Sequence, residues 1–140
     1  MTTAIDSNVV TALLNPDDAL NTAAATGLKA AFERGRLVVP APVYAELLAA
    51  PNRTEDFLDT FFREASIAVD WDLDEFVWRT AGRAFRAYAD RRRRQGPDGP
   101  RQILTDFLIG AFAARHGFEL LTLDRRLYRA AFPDLKIVVA

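Results

Sequence analysis

The chain has 140 residues, with 18 lysines and arginines against 19 aspartates and glutamates, so its formal net charge is -1 and binding to nucleic acid through bulk positive charge alone is not expected. It contains no cysteine and one histidine, which excludes disulfides, thiolate metal sites and multi-histidine metal sites. Because no apolar run approaches the roughly 20 residues of a membrane span and no signal segment opens the chain, we expect a cytoplasmic protein without a membrane partner.

Short apolar or β-branched runs alternate along the chain with longer segments of helical periodicity. In chain order, the predicted strands are Thr2–Asp6, Arg36–Val39, Ile67–Asp70, Glu119–Thr122 and Lys136–Val139. The predicted helices are Ser7–Leu14, Asp18–Arg34, Pro42–Ala50, Thr54–Ala65, Leu73–Arg94, Ile103–His116 and Arg125–Ala131. Strands separated by helices indicate βαβ units, so we predict an α/β fold with a parallel, helix-covered sheet. Residues 1–140 are predicted to form one domain, since neither side of the Gly- and Pro-containing loop at 95–100 could build a core alone.

Two aspartates lie at the carboxyl ends of predicted strands. Asp6 ends the first strand and precedes Ser7 and Asn8, and Asp124 follows the fourth strand. In open parallel sheets, ligands gather outside the carboxyl ends of the strands, where both side chains would lie. Aspartate is also a preferred N-cap residue for a following helix. The residues alone leave the functional and the capping explanations open.

Two further acids lie on predicted helices beside apolar residues. Glu46 is adjacent to the apolar stripe of Val43 and Leu47, where a carboxylate is partly desolvated unless it has a partner. Asp106 is the only ionised group in the segment 103–114, which is apolar around nearly its whole circumference. A glutamate that reaches solvent and a first-turn aspartate that stabilises a helix N-terminus are the alternative explanations.

Together, the four acids predict more than any one of them. If the first and fourth strands are adjacent, Asp6 and Asp124 meet, with the helices carrying Glu46 and Asp106 alongside. Two carboxylates about 4 Å apart repel by about 4 kcal/mol at an effective dielectric constant of 20, so such a cluster needs protons, basic partners or a divalent cation. Carboxylate and water oxygens suit Mg²⁺ or Mn²⁺, and such an ion supports phosphodiester hydrolysis.

The segments that contain these acids resemble the PIN-domain ribonucleases, and in particular the VapC-type toxins of bacterial toxin–antitoxin pairs. The matching pieces are Ile5-Asp-Ser-Asn-Val, Glu46 on the helix after the second strand, Asp106-Phe-Leu-Ile-Gly-Ala and Leu121-Thr-Leu-Asp-Arg-Arg-Leu-Tyr. Their order, spacing and overall length agree over essentially the whole chain. The resemblance implies a three-layer α/β/α sandwich with a central parallel sheet. It also implies Mg²⁺- or Mn²⁺-dependent endoribonuclease activity on RNA, inhibition by a small cognate antitoxin, and assembly as a homodimer or a toxin–antitoxin hetero-oligomer.

The resemblance also assigns roles to individual residues. Catalysis and metal binding would fall to four acids, Asp6, Glu46, Asp106 and Asp124. Ser7, Asn8 and Thr122 would support these carboxylates or the metal waters through hydrogen bonds. Some family members have a further acid two residues after the fourth, whereas this chain has Arg126 there. The number of metal ions is therefore left open, and Arg126 is instead a candidate contact for phosphate.

The near-zero net charge conceals two oppositely charged regions. Eight acids and one arginine lie between Thr54 and Glu75, and eight arginines and two aspartates lie between Arg79 and Arg101. Candidate contacts for the RNA backbone are Arg91, Arg92, Arg93, Arg94, Arg101, Arg125 and Arg126. A solvated helix end also explains the run from Arg91 to Arg94, because cations are favoured near a helix C-terminus.

The sequence is also compatible with other functions and with other roles for its aromatic surfaces. The aromatic residues of Thr54–Ala65 are expected in the core, or in a groove for an antitoxin helix or a homodimer face. A catalytically inactive PIN-like module that binds RNA or protein is the main alternative function. A receiver-like domain fits less well because Lys29 and Lys136 do not end suitable strands. A phosphatase with a nucleophilic aspartate would favour Asp-x-Asp on the first strand, whereas Asp6 is followed by Ser7 and Asn8.

Overall fold

Five short strands form one parallel sheet in the computed structural model, which describes residues 1–96 and 103–140. The strands are β1 (Thr2–Ile5), β2 (Arg36–Pro40), β3 (Ile67–Asp70), β4 (Glu119–Thr122) and β5 (Ile137–Val139). They lie in the order β3-β2-β1-β4-β5, and every neighbouring pair is parallel. β1, β2 and β4 are almost entirely buried, as expected for apolar strands covered by helices on both faces.

Helices flank this sheet, and the predicted α/β/α architecture with a parallel sheet is confirmed. The helices are α1 (Ser7–Leu14), α2 (Asn21–Arg34), α3 (Ala41–Leu48), α4 (Glu55–Glu64), α5 (Glu75–Gln95), α6 (Leu104–His116) and α7 (Arg126–Ala131). α2 packs against β2 and β4, whereas α6 packs against β1, β2 and β4 and against α5. Among the described residues, none of these helices is both long and apolar enough to cross a membrane.

The predicted elements are all present, and their ends differ from the predictions by at most a few residues. The largest difference is at α2, which begins at Asn21 rather than Asp18. Asp18 instead forms a turn in which its Oδ1 accepts a hydrogen bond from the Leu20 amide at 2.8 Å. Thr54 precedes α4 as its N-cap, with its hydroxyl accepting from the Phe57 amide at 3.1 Å. Side chains that bond to local backbone amides thus set these boundaries.

The core is centred on α6, whose residues from Phe107 to Ala113 are all buried. Phe107 packs against α5, with ring centroids 5.0 Å from Phe85 and 5.5 Å from Tyr88. At Gly110 the helix passes so close to Phe132 that a Cβ would lie 2.3 Å from that ring. The helix ends at Gly117, which has the left-handed φ of 67° that favours glycine at this position.

The aromatic residues of α4 were expected in the core, and those on its inner face lie there. Leu58 and Phe62 are buried, and Phe61 is partly buried against the same core. Phe57 on the outer face is 47% exposed. Tertiary packing therefore accounts for most of the aromatic residues of this helix.

A buried carboxylate lies at the amino end of the sheet. Glu119 Oε1 accepts hydrogen bonds from the Thr3 hydroxyl at 2.8 Å and from Arg34 Nη2 at 2.7 Å, and its Oε2 lies 3.4 Å from Lys136 Nζ. Burial raises the pKa of Glu119, but the hydrogen bonds from Arg34 and Thr3 outweigh it, so that the pKa lies below its usual value. This acid is therefore ionised and fully partnered.

Candidate active site

The order in which the chain adds strands to the sheet reverses between β1 and β4. The predicted acids meet at the carboxyl ends of these two strands. From β1 the chain continues to β2 and β3 on one side, and β4 and β5 lie on the other. In open parallel sheets, the crevice at the carboxyl ends of such a strand pair is the usual ligand site. A cavity of about 740 Å³ opens there, and its lining includes Asp6, Glu46, Asp106 and Asp124. The fold therefore brings all four acids to one cavity.

Asp6 is the most enclosed of the four, with only 3% of the residue exposed. Its Oδ2 accepts hydrogen bonds from the Thr122 hydroxyl at 2.8 Å and from the Tyr128 hydroxyl at 2.9 Å. Burial raises the pKa of Asp6, while the hydrogen bonds from Thr122 and Tyr128 act in the opposite direction. Asp6 is also the N-cap of α1, so the capping and the site positions coincide in one residue.

Asn8 and Thr122 join the start of α1 to the end of β4. Asn8 Nδ2 donates to the Thr122 hydroxyl at 3.4 Å, and Asn8 Oδ1 accepts from the Leu123 amide at 3.2 Å. The Thr122 hydroxyl also accepts from the Asp124 amide at 3.0 Å while it donates to Asp6. These contacts fix the position of the Asp6 carboxylate relative to the loop that carries Asp124.

Glu46 and Asp106 approach Asp6 from the two helices α3 and α6. The Ser7 hydroxyl lies 3.4 Å from Asp6 Oδ1 and 3.5 Å from Glu46 Oε1. Glu46 Oε2 is buried and has no hydrogen-bond partner among the described residues. Burial, then the negative charge of Asp6 and to a lesser extent that of Glu46, raises the pKa of Asp106 to about 6. The three carboxylates thus concentrate negative charge in a partly desolvated space.

Asp124 has a different environment from the other three acids. Arg126 binds its carboxylate at both oxygens, with Nε 3.0 Å from Oδ1 and Nη2 2.7 Å from Oδ2. The hydrogen bonds from Arg126 lower the pKa of Asp124. In the described part of the chain, no three acidic or histidine side chains come close enough together to hold a metal ion as they stand. Because Arg126 contacts both oxygens of Asp124, a metal site that includes Asp124 would also require its side chain to leave Arg126.

The chemistry of the cavity nevertheless fits a hard divalent cation. The negatively charged groups that line it are carboxylates, and carboxylate oxygens are the ligands that Mg²⁺ and Mn²⁺ prefer. A bound cation would give Glu46 Oε2 a partner and would offset the burial and the neighbouring negative charge that raise the pKa of Asp106. Asp6, Glu46 and Asp106 are the candidate ligands, and their side chains would have to move closer together to hold one ion, since no three of the described acids are near enough as they stand.

The predicted basic residues are spread over the molecule. Of these arginines, Arg126 is the one found in the cavity lining given by the described residues. Arg125 is exposed at the N-cap of α7. Arg91, Arg92, Arg93 and Arg94 lie in the last turns of α5, where Arg93 forms an ion pair with Asp90. Arg101 lies outside the described residues.

Tyr128 is the site residue that the sequence reasoning missed. It is buried on α7 and donates its hydroxyl to Asp6. Burial and the negative charges of Asp6 and Asp106 raise its pKa well above the usual value, so the hydroxyl stays protonated and remains a donor. The available signal was its place in Leu121-Thr-Leu-Asp-Arg-Arg-Leu-Tyr, one helical turn beyond Asp124.

Solved structures share this fold over nearly the full chain. VapBC2 from Rickettsia felis, bound to a DNA fragment from its promoter, has a TM-score of 0.70 and 15% identity, covering 100% of this chain and 99% of that one. VapBC-1 from nontypeable Haemophilus influenzae has a TM-score of 0.65 and 18% identity, with 99% and 98% covered. A toxin–antitoxin complex from Klebsiella pneumoniae has a TM-score of 0.62 and 15% identity, with 98% and 96% covered.

The sequence itself identifies the family. No curated protein matches the chain at a significant level. The family model for the PIN domain matches residues 3–133, which include the four acids predicted from the sequence. The chain therefore belongs to the PIN domain family.

Proposed function

We propose that this protein is a Mg²⁺-dependent endoribonuclease, with Mn²⁺ as an alternative ion, that acts as the toxin of a toxin–antitoxin pair. The observation that carries the proposal is the meeting of Asp6, Glu46 and Asp106 in one cavity, with Glu46 Oε2 left without a partner. Membership of the PIN domain family supports a hydrolase that acts on nucleic acid. RNA is the substrate class that the sequence resemblance implies.

In the proposed mechanism, the carboxylates hold the ion and orient the reactants. Asp6, Glu46 and Asp106 would hold the cation, and Asp124 would be a further ligand if its carboxylate is released from Arg126. Bound Mg²⁺ would polarise the phosphate and lower the pKa of the attacking water. Thr122 and Tyr128 fix the orientation of the Asp6 carboxylate through their hydrogen bonds, which also oppose the rise of its pKa on burial. Ser7 and Asn8 hold the start of α1 against Glu46 and the end of β4.

The proposed partner is a small cognate antitoxin that inhibits the enzyme. Solved proteins of the same fold include a toxin–antitoxin complex, which supports this assignment. We expect the chain to form a toxin–antitoxin hetero-oligomer or a homodimer. Expression of the protein alone should arrest bacterial growth, and co-expression of the small protein encoded beside it should restore growth.

The enzymatic proposal is tested by incubating purified protein with single-stranded RNA and, separately, with DNA of the same sequence. We expect RNA cleavage with added Mg²⁺ or Mn²⁺ and none in excess EDTA. Asp106→Asn and Asp6→Asn should each reduce cleavage by at least about a hundredfold, since charge stabilisation by a site of this kind contributes several kcal/mol. Asp134→Asn is the matched control, because Asp134 is exposed and lies outside the cavity.

Three outcomes would contradict the proposal. Cleavage that persists in EDTA would exclude the metal-dependent mechanism. Full activity in both the Asp6 and the Asp106 variants would place the site elsewhere. Cleavage of DNA in preference to RNA would reject the substrate class while leaving a nuclease.

An inactive PIN-like module that binds RNA or protein is the second candidate function. The observation in its favour is the ion pair between Asp124 and Arg126, which withdraws one acid from the cluster. Such a module would bind RNA equally well with and without metal and would not cleave it. Measuring binding and cleavage on the same RNA therefore separates the two functions.

A further inference from the structure

Arg126 has an unusual position for a cation, inside the lining of an otherwise acidic cavity. The charged residues that line this cavity in the described part of the chain are Asp6, Asp18, Glu46, Asp106, Asp124 and Arg126. Arg126 is thus the one basic side chain among five acidic ones. An anionic substrate that enters the cavity meets a single positive group supplied by the described residues of the protein itself.

The contact between Arg126 and Asp124 occupies both carboxylate oxygens. The guanidinium nitrogens lie 2.7 to 3.2 Å from Oδ1 and Oδ2, and the Arg126 amide also donates to Oδ1 at 3.0 Å. A carboxylate bound in this fork has no oxygen free of the guanidinium. Asp124 therefore cannot coordinate a metal ion through an unshared oxygen while the pair persists.

The pair is also easily broken. The Arg126 side chain is 88% exposed and that of Asp124 is 46% exposed, so water can replace each partner. Ion pairs as exposed as this one stabilise a protein only weakly. Arg126 begins α7, whose own hydrogen bonds do not involve the guanidinium, so the side chain can move while the helix stays in place.

A guanidinium released from Asp124 remains attached at the cavity. Phosphate oxygens match its planar fork as well as carboxylate oxygens do, and an RNA backbone offers them at the position where the substrate must enter. The ion pair between Asp124 and Arg126 can thus be replaced by two other contacts, one between Asp124 and the metal ion and one between Arg126 and a phosphate.

We infer that Arg126 is a substrate-binding residue that competes with the metal ion for Asp124 and, once displaced, binds a phosphate of the substrate. This inference rests on the proposed metal-dependent nuclease function. It explains how one acid of the cluster can be paired in the free protein and still serve the site. It also predicts that metal and RNA strengthen each other's binding, because each stabilises the exchanged arrangement.

The first test measures Mn²⁺ binding to the metal-free protein by calorimetry, without RNA. Arg126→Ala should bind Mn²⁺ roughly two- to fivefold more tightly than the natural protein, as expected from loss of an exposed competing ion pair. Arg125→Ala is the matched control: it removes the same charge one residue away, from a side chain outside the cavity lining. Arg125→Ala should change the Mn²⁺ affinity by less than about half of the change in Arg126→Ala, since exposed charges are strongly screened.

Arg126→Lys separates the two-point contact from simple charge. Lysine retains the positive charge but cannot bind both carboxylate oxygens in a planar fork. We therefore expect Mn²⁺ affinity between those of the natural protein and Arg126→Ala. If Arg126→Ala and Arg125→Ala tighten binding equally, the effect is general electrostatics and the competition is wrong.

The second test measures RNA cleavage at saturating Mn²⁺. Loss of a charge-assisted hydrogen bond to phosphate should lower kcat/KM of Arg126→Ala roughly tenfold or more, mainly through a higher KM. Unchanged KM would overturn the phosphate contact. If the natural protein binds Mn²⁺ but cleaves no RNA, the proposed function fails, whereas normal cleavage with unchanged Mn²⁺ affinity in Arg126→Ala overturns this inference alone.

Discussion

The aspartates of the cavity show how strongly one residue type depends on its surroundings. Burial raises the pKa of Asp6 despite hydrogen bonds from Thr122 and Tyr128. Burial and neighbouring negative charge raise the pKa of Asp106, whereas hydrogen bonds from Arg126 lower that of Asp124. The site therefore contains two acids that resist ionisation and one that is already neutralised by a partner. Raised pKa values that cluster in one cavity are typical of functional sites.

Asp106 should make the stability of the metal-free protein depend on pH. Its pKa is about 6 in the folded chain against a reference of 3.8, so its contribution to stability is present below about pH 4 and is lost as pH rises through 6. Asp106→Asn removes this loss. Above pH 6, we expect the free energy of unfolding of the variant to exceed that of the natural protein by about 1–2 kcal/mol. This value is reduced to allow for the partial exposure of the side chain.

The measurement is urea unfolding in EDTA between pH 4 and 8. The difference between the two proteins should narrow toward pH 4, because Asp106 is then protonated in the folded chain and approaches half protonation in the unfolded chain. Asp134→Asn, at an exposed position, should show no such trend. A stability difference for Asp106→Asn that is the same at every pH would contradict the expectation.

At the scale of elements, α6 brings together site and core. Its first turn carries Asp106, and the following residues are buried between the sheet and α5. Gly110 allows α6 to approach Phe132, the residue that follows α7. The position of Asp106 thus depends on a close packing contact one turn further along the helix.

Gly110→Ala should destabilise the protein even though alanine favours helices. The added Cβ would lie 2.3 Å from the Phe132 ring, so helix or ring must shift, at a cost of about 1–3 kcal/mol. Gly82→Ala in α5 is the matched control, because nothing lies within 4 Å of the Cβ there. It should stabilise the protein by about 0.5–1 kcal/mol. Chemical denaturation measures the free energy of unfolding of both variants. Stabilisation by Gly110→Ala would contradict the prediction and would show that the Phe132 ring moves aside at little cost.

The elements were predictable because buried parallel strands and amphipathic helices have distinct apolar periods. Runs such as Leu37–Val39 and Leu120–Leu121 are buried as their composition indicates. The meeting of the four acids at one cavity was predicted on the condition that the first and fourth strands are adjacent, and β1 does pair with β4. The contact between Asp124 and Arg126 was not predictable, since a side chain can turn toward either a neighbour or the cavity without any change in sequence pattern. Tyr128 was missed because its ring fits an apolar helix face, and only the fold reveals that its hydroxyl reaches Asp6.

Across the whole molecule, the two ends of the sheet hold carboxylates in opposite conditions. At the amino end, Glu119 is buried but contacts Thr3, Arg34 and Lys136. At the carboxyl end, Asp6, Glu46 and Asp106 line one cavity, and none of the hydrogen bonds between described residues joins them to a basic side chain. The contacts at the amino end stabilise the fold, whereas the crowded carboxylates at the carboxyl end destabilise it, and the proposed cation would relieve that repulsion. Such a division is common where a site is preorganised for a ligand.

Glu119→Gln should have the opposite pH behaviour to Asp106→Asn. The pKa of Glu119 is lowered on folding, so its contribution to stability is present above its unfolded value of 4.5 and is lost as pH falls through the lower folded value. The variant should be about 1–3 kcal/mol less stable at pH 7 than the natural protein, with the difference shrinking in acid. Glu33→Gln on the exposed side of α2 is the control. Equal stability of Glu119→Gln and the natural protein at pH 7 would show that the ionic contacts do not hold the amino end together.

The pairing of β1 with β4 has a consequence for when the activity can appear during synthesis. Asp6 leaves the ribosome more than a hundred residues before the groups that orient it, Thr122 and Tyr128. Until β4 emerges, the central strand lacks one neighbour and the cavity has only part of its wall. A nascent chain, or one cut short before β4, therefore carries the acids without the enclosure that aligns them. A protein that degrades RNA would thus be harmless to the messenger that is still being translated into it.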